Sequence, residues 1–288
     1  MLLAFDTLSA PLELIGCDEL APDIAGVLRG WRVREIDSTV ASAPPVRIAK
    51  TDRGYARTSP WLAKPAVWPD PVDAVCDFLV DLMKWRVAET PGLLCLHAAA
   101  AEFAAGTVLF PSTYRAGKST LSVHLAATGA RLIADDVLPI EGERNEGVAP
   151  GFLPRLRLSL PADSSAGHRN FVRARAALGN RRYLYLALTD DELAPLGARA
   201  PIRGVVLLER RPSGPPELVP AEADEVLKTV ILQNFARGVP ALDILDRLHA
   251  IVAGAACYRL RYGACEPAIA LLEEAFGATA PRRAAAGT

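Results

Sequence analysis

Residues 108–120 read Val108-Leu-Phe-Pro-Ser-Thr-Tyr-Arg-Ala-Gly-Lys-Ser-Thr120, an apolar run that enters a loop closing on Gly-Lys-Ser-Thr. Apolar positions within 121–126 give one face of a helix, so the pattern predicts a strand, a loop and a helix. Backbone N–H groups of such a loop and the positive end of the helix dipole favour phosphate oxygens. The lysine adds a point charge and the serine a ligand for Mg²⁺. We therefore expect a nucleoside triphosphate site.

The loop matches G-x-x-x-x-G-K-[ST] except at its first position, where Ser112 stands in place of glycine. Glycine there allows a positive φ and close approach of the backbone to a ligand, so serine requires a different turn. A bare Gly-Lys-Ser-Thr also occurs at ordinary strand–turn–helix corners, and the apolar segments on both sides favour the nucleotide site. The predicted nucleotide-binding residues are Ser112, Thr113, Tyr114, Arg115, Ala116, Gly117, Lys118, Ser119 and Thr120.

Two carboxylates follow a second apolar segment. Residues 132–134 lead to Asp135 and Asp136, seventeen positions after Lys118. One helix and one turn in between place these carboxylates beside the loop. One can hold Mg²⁺ and the other can accept a proton from an attacking hydroxyl, although a plain turn is the alternative interpretation. Neighbouring strand residues point to opposite faces, so at most one faces the phosphates unless the strand ends between them.

Composition limits the class of protein. The 288 residues are 51% hydrophobic and 23% charged, which is typical of a globular chain with one large or two modest domains. A formal net charge of -1 gives no global attraction to nucleic acid, and no apolar run is long enough to span a bilayer. The five cysteines are widely spaced without a C-x-x-C pair, so neither a disulfide framework nor a zinc site is predicted. We expect a cytoplasmic protein without nucleic-acid or membrane partners.

The chain divides into three parts by pattern. Residues 1–90 mix short strand-like pieces with Pro-rich turns and end in an amphipathic helix over 71–87, which predicts a smaller N-terminal α+β accessory domain. Residues 91–278 alternate strands with helices, which predicts an α/β nucleotide-binding domain. Residues 279–288 are predicted to form a loose tail.

Three motifs occur in register. They are Leu96-His97-Ala-Ala99, the loop ending Ala116-Gly-Lys-Ser119, and Gly129-Ala-Arg-Leu-Ile-Ala-Asp-Asp136. Their order and spacing resemble the HPr kinase/phosphorylase family. The resemblance implies a P-loop kinase core of the HPr kinase and phosphoenolpyruvate carboxykinase type, with ATP and Mg²⁺ as cofactors. It also implies phosphorylation of a serine hydroxyl on a peptide or small protein.

The resemblance implies a role for each matched residue. Lys118 would contact the β- and γ-phosphates, Ser119 would ligate Mg²⁺, and Asp135 would be the general base. Asp136 would support the metal or the geometry, and His97 would approach the phosphates. Taken alone, a histidine among apolar residues is more often a buried side chain than a reactive one, so the role of His97 depends on the resemblance.

The resemblance covers about residues 92–140, and the chain departs from the family at two loop positions. Family members usually carry glycine in place of Ser112 and an acidic residue in place of Thr120, which affects the course of the loop and a second metal contact. The family's C-terminal signature for the phosphorylase direction has no counterpart that we can place, so reverse phosphorolysis is not implied. Other family members form oligomers, and a homo-oligomer is an open expectation here.

Downstream arginines are candidates to complete the site, because phosphoryl transfer places negative charge on equatorial oxygens. Arg155 and Arg157 lie two apart on a predicted strand and so share a face, which makes them preferable to the pairs at 181–182 and 210–211. Surface arginine pairs are common, and most are only solvated.

The leading hypothesis is an ATP- and Mg²⁺-dependent kinase that acts on a peptide or small-protein hydroxyl. A nucleotide-binding regulatory protein with little catalysis is the first alternative, because Ser112 and Thr120 depart from the family pattern. A kinase for a small metabolite is the second. A GTPase is disfavoured because the chain has no N-K-x-D element that reads guanine.

Overall fold

The computed structural model describes residues 1–37, 43–111, 116–142, 144–161 and 164–278. The predicted α/β class is confirmed at the level of a mixed α/β protein, with four β-sheets in these ranges. Among the described helices, none combines the length and hydrophobicity that a bilayer crossing requires. The predicted tail and four predicted loop residues, Ser112, Thr113, Tyr114 and Arg115, lie outside the described residues.

The N-terminal elements form a six-stranded sheet followed by a long helix. In chain order they are β1 (Leu2–Phe5), β2 (Leu12–Ile15), α1 (Leu20–Gly26), β3 (Val33–Ile36), β4 (Val46–Thr51), β5 (Gly54–Thr58), β6 (Ala66–Trp68) and α2 (Pro71–Glu89). The strand order is β3-β1-β2-β4-β5-β6. Only β2 and β4 run parallel among these neighbours in the described chain. Leu12 and Leu14 alternate inward along β2 and are buried.

The helix predicted over 71–87 is confirmed as α2. Asp70 is its N-cap, and the Oδ1 atom accepts hydrogen bonds from the N–H groups of Val72 and Asp73 at 2.8 and 3.3 Å. Asn180 Nδ2 donates to the same oxygen at 2.8 Å, and Arg182 forms an ion pair with Asp73 at 2.6 Å. The start of α2 is therefore tied to the later part of the chain. The domain boundary near residue 90 stays a prediction.

The remaining elements build the other three sheets. They are β7 (Leu94–Leu96), β8 (Ala98–Phe103), β9 (Gly106–Pro111), α3 (Lys118–Thr128), β10 (Leu132–Ala134), β11 (Leu138–Glu141), β12 (Glu146–Val148), β13 (Arg155–Arg157), α4 (Ala166–Ala174), β14 (Ala176–Gly179), β15 (Tyr183–Leu186), β16 (Arg199–Ala200), β17 (Ile202–Arg210), β18 (Glu217–Pro220), α5 (Ala223–Gln233), α6 (Ala241–Ala253), β19 (Ala256–Tyr262) and α7 (Cys265–Phe276). The central sheet has the order β10-β8-β9-β17-β19-β18. The two smaller sheets have the orders β16-β12-β11-β7 and β13-β15-β14.

Strand direction in the central sheet brings several loops to one edge. β9, β17 and β19 run parallel to one another. β10 is antiparallel to β8, and β8 is antiparallel to β9, so β10 points the same way as β9. The start of β8 lies at this edge too, because Ala98 pairs with Pro111 at the end of β9. The carboxyl-terminal edge of such a sheet is where ligands bind in open α/β folds.

The central sheet is covered on both faces. Val108 and Phe110 of β9 belong to the same buried cluster as residues of α3, whereas Leu109 belongs to a second cluster with residues of α5 and α6. Burial on both sides explains why β9 reads as a continuous apolar run rather than an alternating one.

One predicted strand is divided in the structure. The sequence predicts a single strand over 93–100, but the chain breaks at His97 into β7 and β8, which belong to different sheets. Uniformly apolar residues carry no periodic signal that marks such a change of sheet. The break places His97 at the carboxyl-terminal edge of the central sheet, because it immediately precedes Ala98.

Replacement of Asp70 by alanine should lower the free energy of unfolding by about 1–2 kcal/mol, because it removes the α2 cap and the bond from Asn180. Urea denaturation checks this loss. Asp52→Ala, which changes an exposed turn carboxylate, is the matched control and should leave the midpoint unchanged. Equal midpoints for the two variants would show that the cap does not stabilise the fold.

Candidate functional site

The described end of the predicted loop leads into α3 through a glycine that no other residue can replace without strain. Gly117 is the N-cap of α3 and has φ +91°, and a Cβ atom there would lie 2.7 Å from Tyr262 Oη. The Tyr262 hydroxyl donates to the carbonyl of Ala116 at 3.2 Å, so β19 holds the end of the loop in place. A glycine cap supplies no side-chain acceptor for the first N–H groups of α3, which favours an anion there.

Five of the nine predicted loop residues are described, namely Ala116, Gly117, Lys118, Ser119 and Thr120. The last three form the first turn of α3, so the predicted helix start agrees with the structure.

Lys118 is buried beside the two carboxylates. Its residue surface is only 8% exposed, and burial lowers the pKa of its ammonium while the charges of Asp136 and Asp135 oppose that change. A lysine in this position, one residue after an αL glycine, can meet phosphate oxygens that enter the loop. The structure therefore brings together the predicted lysine and the predicted acidic pair.

Asp135 is a buried carboxylate that is only partly satisfied. Its Oδ2 atom accepts a hydrogen bond from the N–H of Arg155 at 3.1 Å, while Oδ1 is buried and has no hydrogen-bond partner among the described residues. Burial, followed by the charge of Asp136, raises the pKa of Asp135 to about 7. The Arg155 N–H and the nearby hydroxyls of Ser119 and Ser122 oppose this rise, but neither hydroxyl reaches hydrogen-bond geometry with Oδ1. Within the part of the chain that the structure describes, Asp135 Oδ1 is thus an acceptor without a donor.

Asp136 and His97 form a polar pair at the same edge. His97 Nδ1 lies 3.4 Å from Asp136 Oδ1, and the Asp136 side chain is 48% exposed. Burial lowers the pKa of His97, the charge of Asp136 raises it, and Lys118 lowers it further. The net lowering leaves the imidazole neutral at pH 7. The N–H of His97 also donates to the carbonyl of Gln233 at 2.9 Å.

Both carboxylates reach the site because the strand is short. β10 ends at Ala134, so Asp135 and Asp136 follow the strand rather than alternate along it. Alternation within a strand would have turned one of them away. Both line the same cleft, with Asp135 buried and Asp136 half-exposed.

The cleft beside these residues has a volume of about 530 Å³. Its polar residues include His97, Ser119, Asp135, Asp136, Arg155 and Tyr185. Most of its remaining lining is apolar and comes from α2, the segment 150–153 and the end of α5. We call this space the apolar cleft. Sequence patterns did not identify its walls, because α2 and α5 are distant along the chain and read only as amphipathic helices.

The preferred arginine pair shares a face, but its two members have different surroundings. Arg155 and Arg157 both lie over the Tyr183 ring, with Cζ atoms 4.5 and 5.5 Å from its centroid. Arg155 lines the apolar cleft, whereas Arg157 is exposed. Arg210 was named only as a lesser candidate, yet its Nη1 atom lies 3.7 Å from where a Cβ of Gly117 would be. Arg210 reaches this position because β17 pairs in parallel with β9, and no local sequence pattern encodes that pairing.

The donors at the site suit Mg²⁺ better than a softer metal. Ser119, Asp135 and Asp136 present hard oxygen atoms to one cleft, and magnesium is commonly held by one or two carboxylates together with phosphate oxygens. Within the described ranges, no three His, Cys, Asp or Glu residues form a cluster that holds a metal alone. A cation here would therefore need the phosphates of a nucleotide as further ligands.

No family model matches this chain, and no curated protein matches it. Among solved structures, the chain is similar to "Structure of the Hpr(Ser) kinase/phosphatase from Coxiella burnetii", with 16% sequence identity and a TM-score of 0.30. The match covers 62% of this chain and 91% of that one. A likeness this low carries no argument about activity, so the function is inferred from the site itself.

The buried Asp135 carboxylate should make the nucleotide-free protein less stable as the pH rises. Its pKa is about 7 in the folded chain and near 3.8 when unfolded, so its stabilising contribution is complete below pH 4 and is lost as the pH passes 7. Asp135→Asn cannot ionise and should exceed the wild type by on the order of 2 kcal/mol at pH 8, with little difference at pH 4. Urea unfolding at pH 4 and at pH 8, without nucleotide or Mg²⁺, measures both differences in stability.

Asp52→Asn is the control, because its carboxylate is exposed in the turn between β4 and β5, and it should leave stability unchanged at both pH values. A destabilised Asp135→Asn at pH 8 would contradict the expectation.

Proposed function

We propose that this protein is an ATP- and Mg²⁺-dependent kinase with a P-loop core, which transfers the γ-phosphoryl group to a hydroxyl of a peptide or small protein. The observation that carries the proposal is a juxtaposition at one sheet edge. The αL glycine Gly117 and the buried Lys118 meet a buried carboxylate, Asp135, whose Oδ1 atom has no donor among the described residues. An anion site and a proton acceptor side by side are what phosphoryl transfer to a hydroxyl requires.

Each residue has a distinct part in the reaction. The loop N–H groups and Lys118 would bind the β- and γ-phosphates, and Ser119 with Asp136 would hold Mg²⁺, which neutralises phosphate charge when bound. The acceptor oxygen forms a bond to the γ-phosphorus as the bond to the β–γ bridging oxygen breaks, and ADP leaves. The hydroxyl proton passes to Asp135 Oδ1.

His97 positions the site rather than reacting. Its neutral imidazole faces Asp136 Oδ1 at 3.4 Å, and the backbone N–H of His97 donates to the carbonyl of Gln233 at 2.9 Å. The pair would keep the Asp136 carboxylate aimed at the metal and the terminal phosphate, as outer partners of metal ligands do.

Lys118→Ala and Asp135→Asn should each lower phosphate transfer by about 10²-fold or more, because one removes a phosphate contact and the other the proton acceptor. Transfer is followed with γ-labelled ATP, Mg²⁺ and a pool of serine-containing peptides. Calorimetry should show that Asp135→Asn still binds ATP while Lys118→Ala binds it more weakly. The exposed positions offer matched controls, Lys228→Ala and Asp52→Asn, which should behave as the wild type.

The outcomes separate the alternatives. Undiminished turnover by Asp135→Asn means that another group is the base. Label in the small-molecule fraction alone indicates a metabolite kinase, and ATP uptake without any transfer indicates a nucleotide-binding regulatory protein. Absence of ATP binding at millimolar Mg²⁺ by well-folded protein overturns the proposal altogether.

A further inference from the structure

The apolar cleft extends away from the phosphate-binding end of the site. Ser119 and Asp135 lie at its polar end, next to Lys118 and the start of α3, where N–H groups and the lysine charge favour phosphate. Beyond them most lining residues are apolar, and Lys84, Gln233, Asn234 and Arg237 are the remaining polar ones. A polyphosphate therefore belongs at the loop, and the cleft is left for the group that receives the phosphate.

The first wall of the cleft comes from α2. Phe78 and Leu82 are buried in the core, which turns the intervening Val80 outward so that it lines the cleft with 47% of its surface exposed. Leu79 lines the cleft beside it. The ion pair between Asp73 and Arg182 helps to fix this helix against the later part of the chain. The wall is therefore part of the folded scaffold.

The facing walls come from the segment 150–153 and from the end of α5. Phe152 and Leu153 line one side. On the other, the N–H of Phe235 donates to the carbonyl of Cys95 at 3.0 Å, which holds the end of α5 against β7. Leu232 is presented at the mouth and is 72% exposed. Large apolar side chains exposed together around a cavity are typical of a binding site.

The size of the cleft restricts what can enter it. About 530 Å³ lies in the range of pockets that enclose a drug-sized ligand, which is too small for a folded domain. A serine or threonine with its neighbouring side chains fits that range when the segment is extended. Because most of the lining is apolar, large apolar neighbours gain from burial against it, whereas polar neighbours lose water wherever they face an apolar wall.

We propose, building on the kinase function above, that the acceptor is an extended peptide segment whose serine or threonine is flanked by large apolar side chains. The hydroxyl reaches Asp135 at the polar end of the cleft, and the flanking side chains pack on Val80 and Leu232. The two exposed residues thus determine specificity and have no part in ATP binding.

Peptide binding tests this without requiring turnover. Fluorescent heptapeptides with a central serine flanked by Leu and Phe, or by Gly and Asn, are titrated with the protein in the presence of Mg²⁺ and a non-hydrolysable ATP analogue. The apolar peptide should bind at least 10-fold more tightly by anisotropy. Val80→Asp and Leu232→Asp should each weaken it at least 5-fold. Thermal unfolding should stay near that of the wild type, because both side chains are exposed.

Leu242→Asp is the matched control, since Leu242 is 73% exposed but does not line the cleft, and it should leave peptide affinity unchanged. Equal or undetectable affinity for the two peptides overturns the proposal, as does unaltered affinity in both cleft variants. Competition by a small aliphatic alcohol at the peptide's own concentration would assign the cleft to a small molecule instead. Selective peptide binding without phosphate transfer would rule out the kinase reaction but would keep the assignment of the cleft as a peptide-binding site.

Discussion

The pairing of Ala98 with Pro111 across β8 and β9 is the constraint on which the site depends. It sets the beginning of β8 against the end of β9, so that His97 and the end of β9 lie at the same edge of the central sheet. Because β10 points in the same direction as β9, Asp135 arrives there as well. Strand pairing therefore brings together residues from three separate parts of the chain. Their side chains can interact because the backbone has already placed them close to one another.

Convergence of this kind has an energetic consequence. A buried lysine and a buried carboxylate lose hydration, and the charges of Asp136 and Asp135 compensate the lysine only in part. The Arg155 N–H satisfies one carboxylate oxygen and leaves the second without a donor in the described chain. Proteins tolerate such incomplete pairing mainly where a ligand or reaction uses it, which is why the perturbed pKa values and the geometry point to one location.

The sequence predicted those parts of the fold that depend on local pattern. The amphipathic helix α2 and the strand and helix on either side of the loop before Lys118 agree with the structure, because each is encoded within a few neighbouring residues. The shared face of Arg155 and Arg157 follows from strand alternation in the same way. Four residues of the predicted loop and the tail are outside the described chain, so their predicted roles stay predictions.

Long-range arrangement was not predictable by the same reasoning. The division at His97 occurs within uniformly apolar sequence, and the cleft walls come from helices far apart along the chain. The antiparallel bridge between Leu96 and Asn234 adds a mechanical link between them, because it joins the end of α5 to the peptide group beside His97. The residue next to Leu232 is therefore bonded directly to the backbone of His97, through the carbonyl of Gln233. One hydrogen-bonded stretch of backbone thus connects a wall of the apolar cleft to the pair formed by His97 and Asp136.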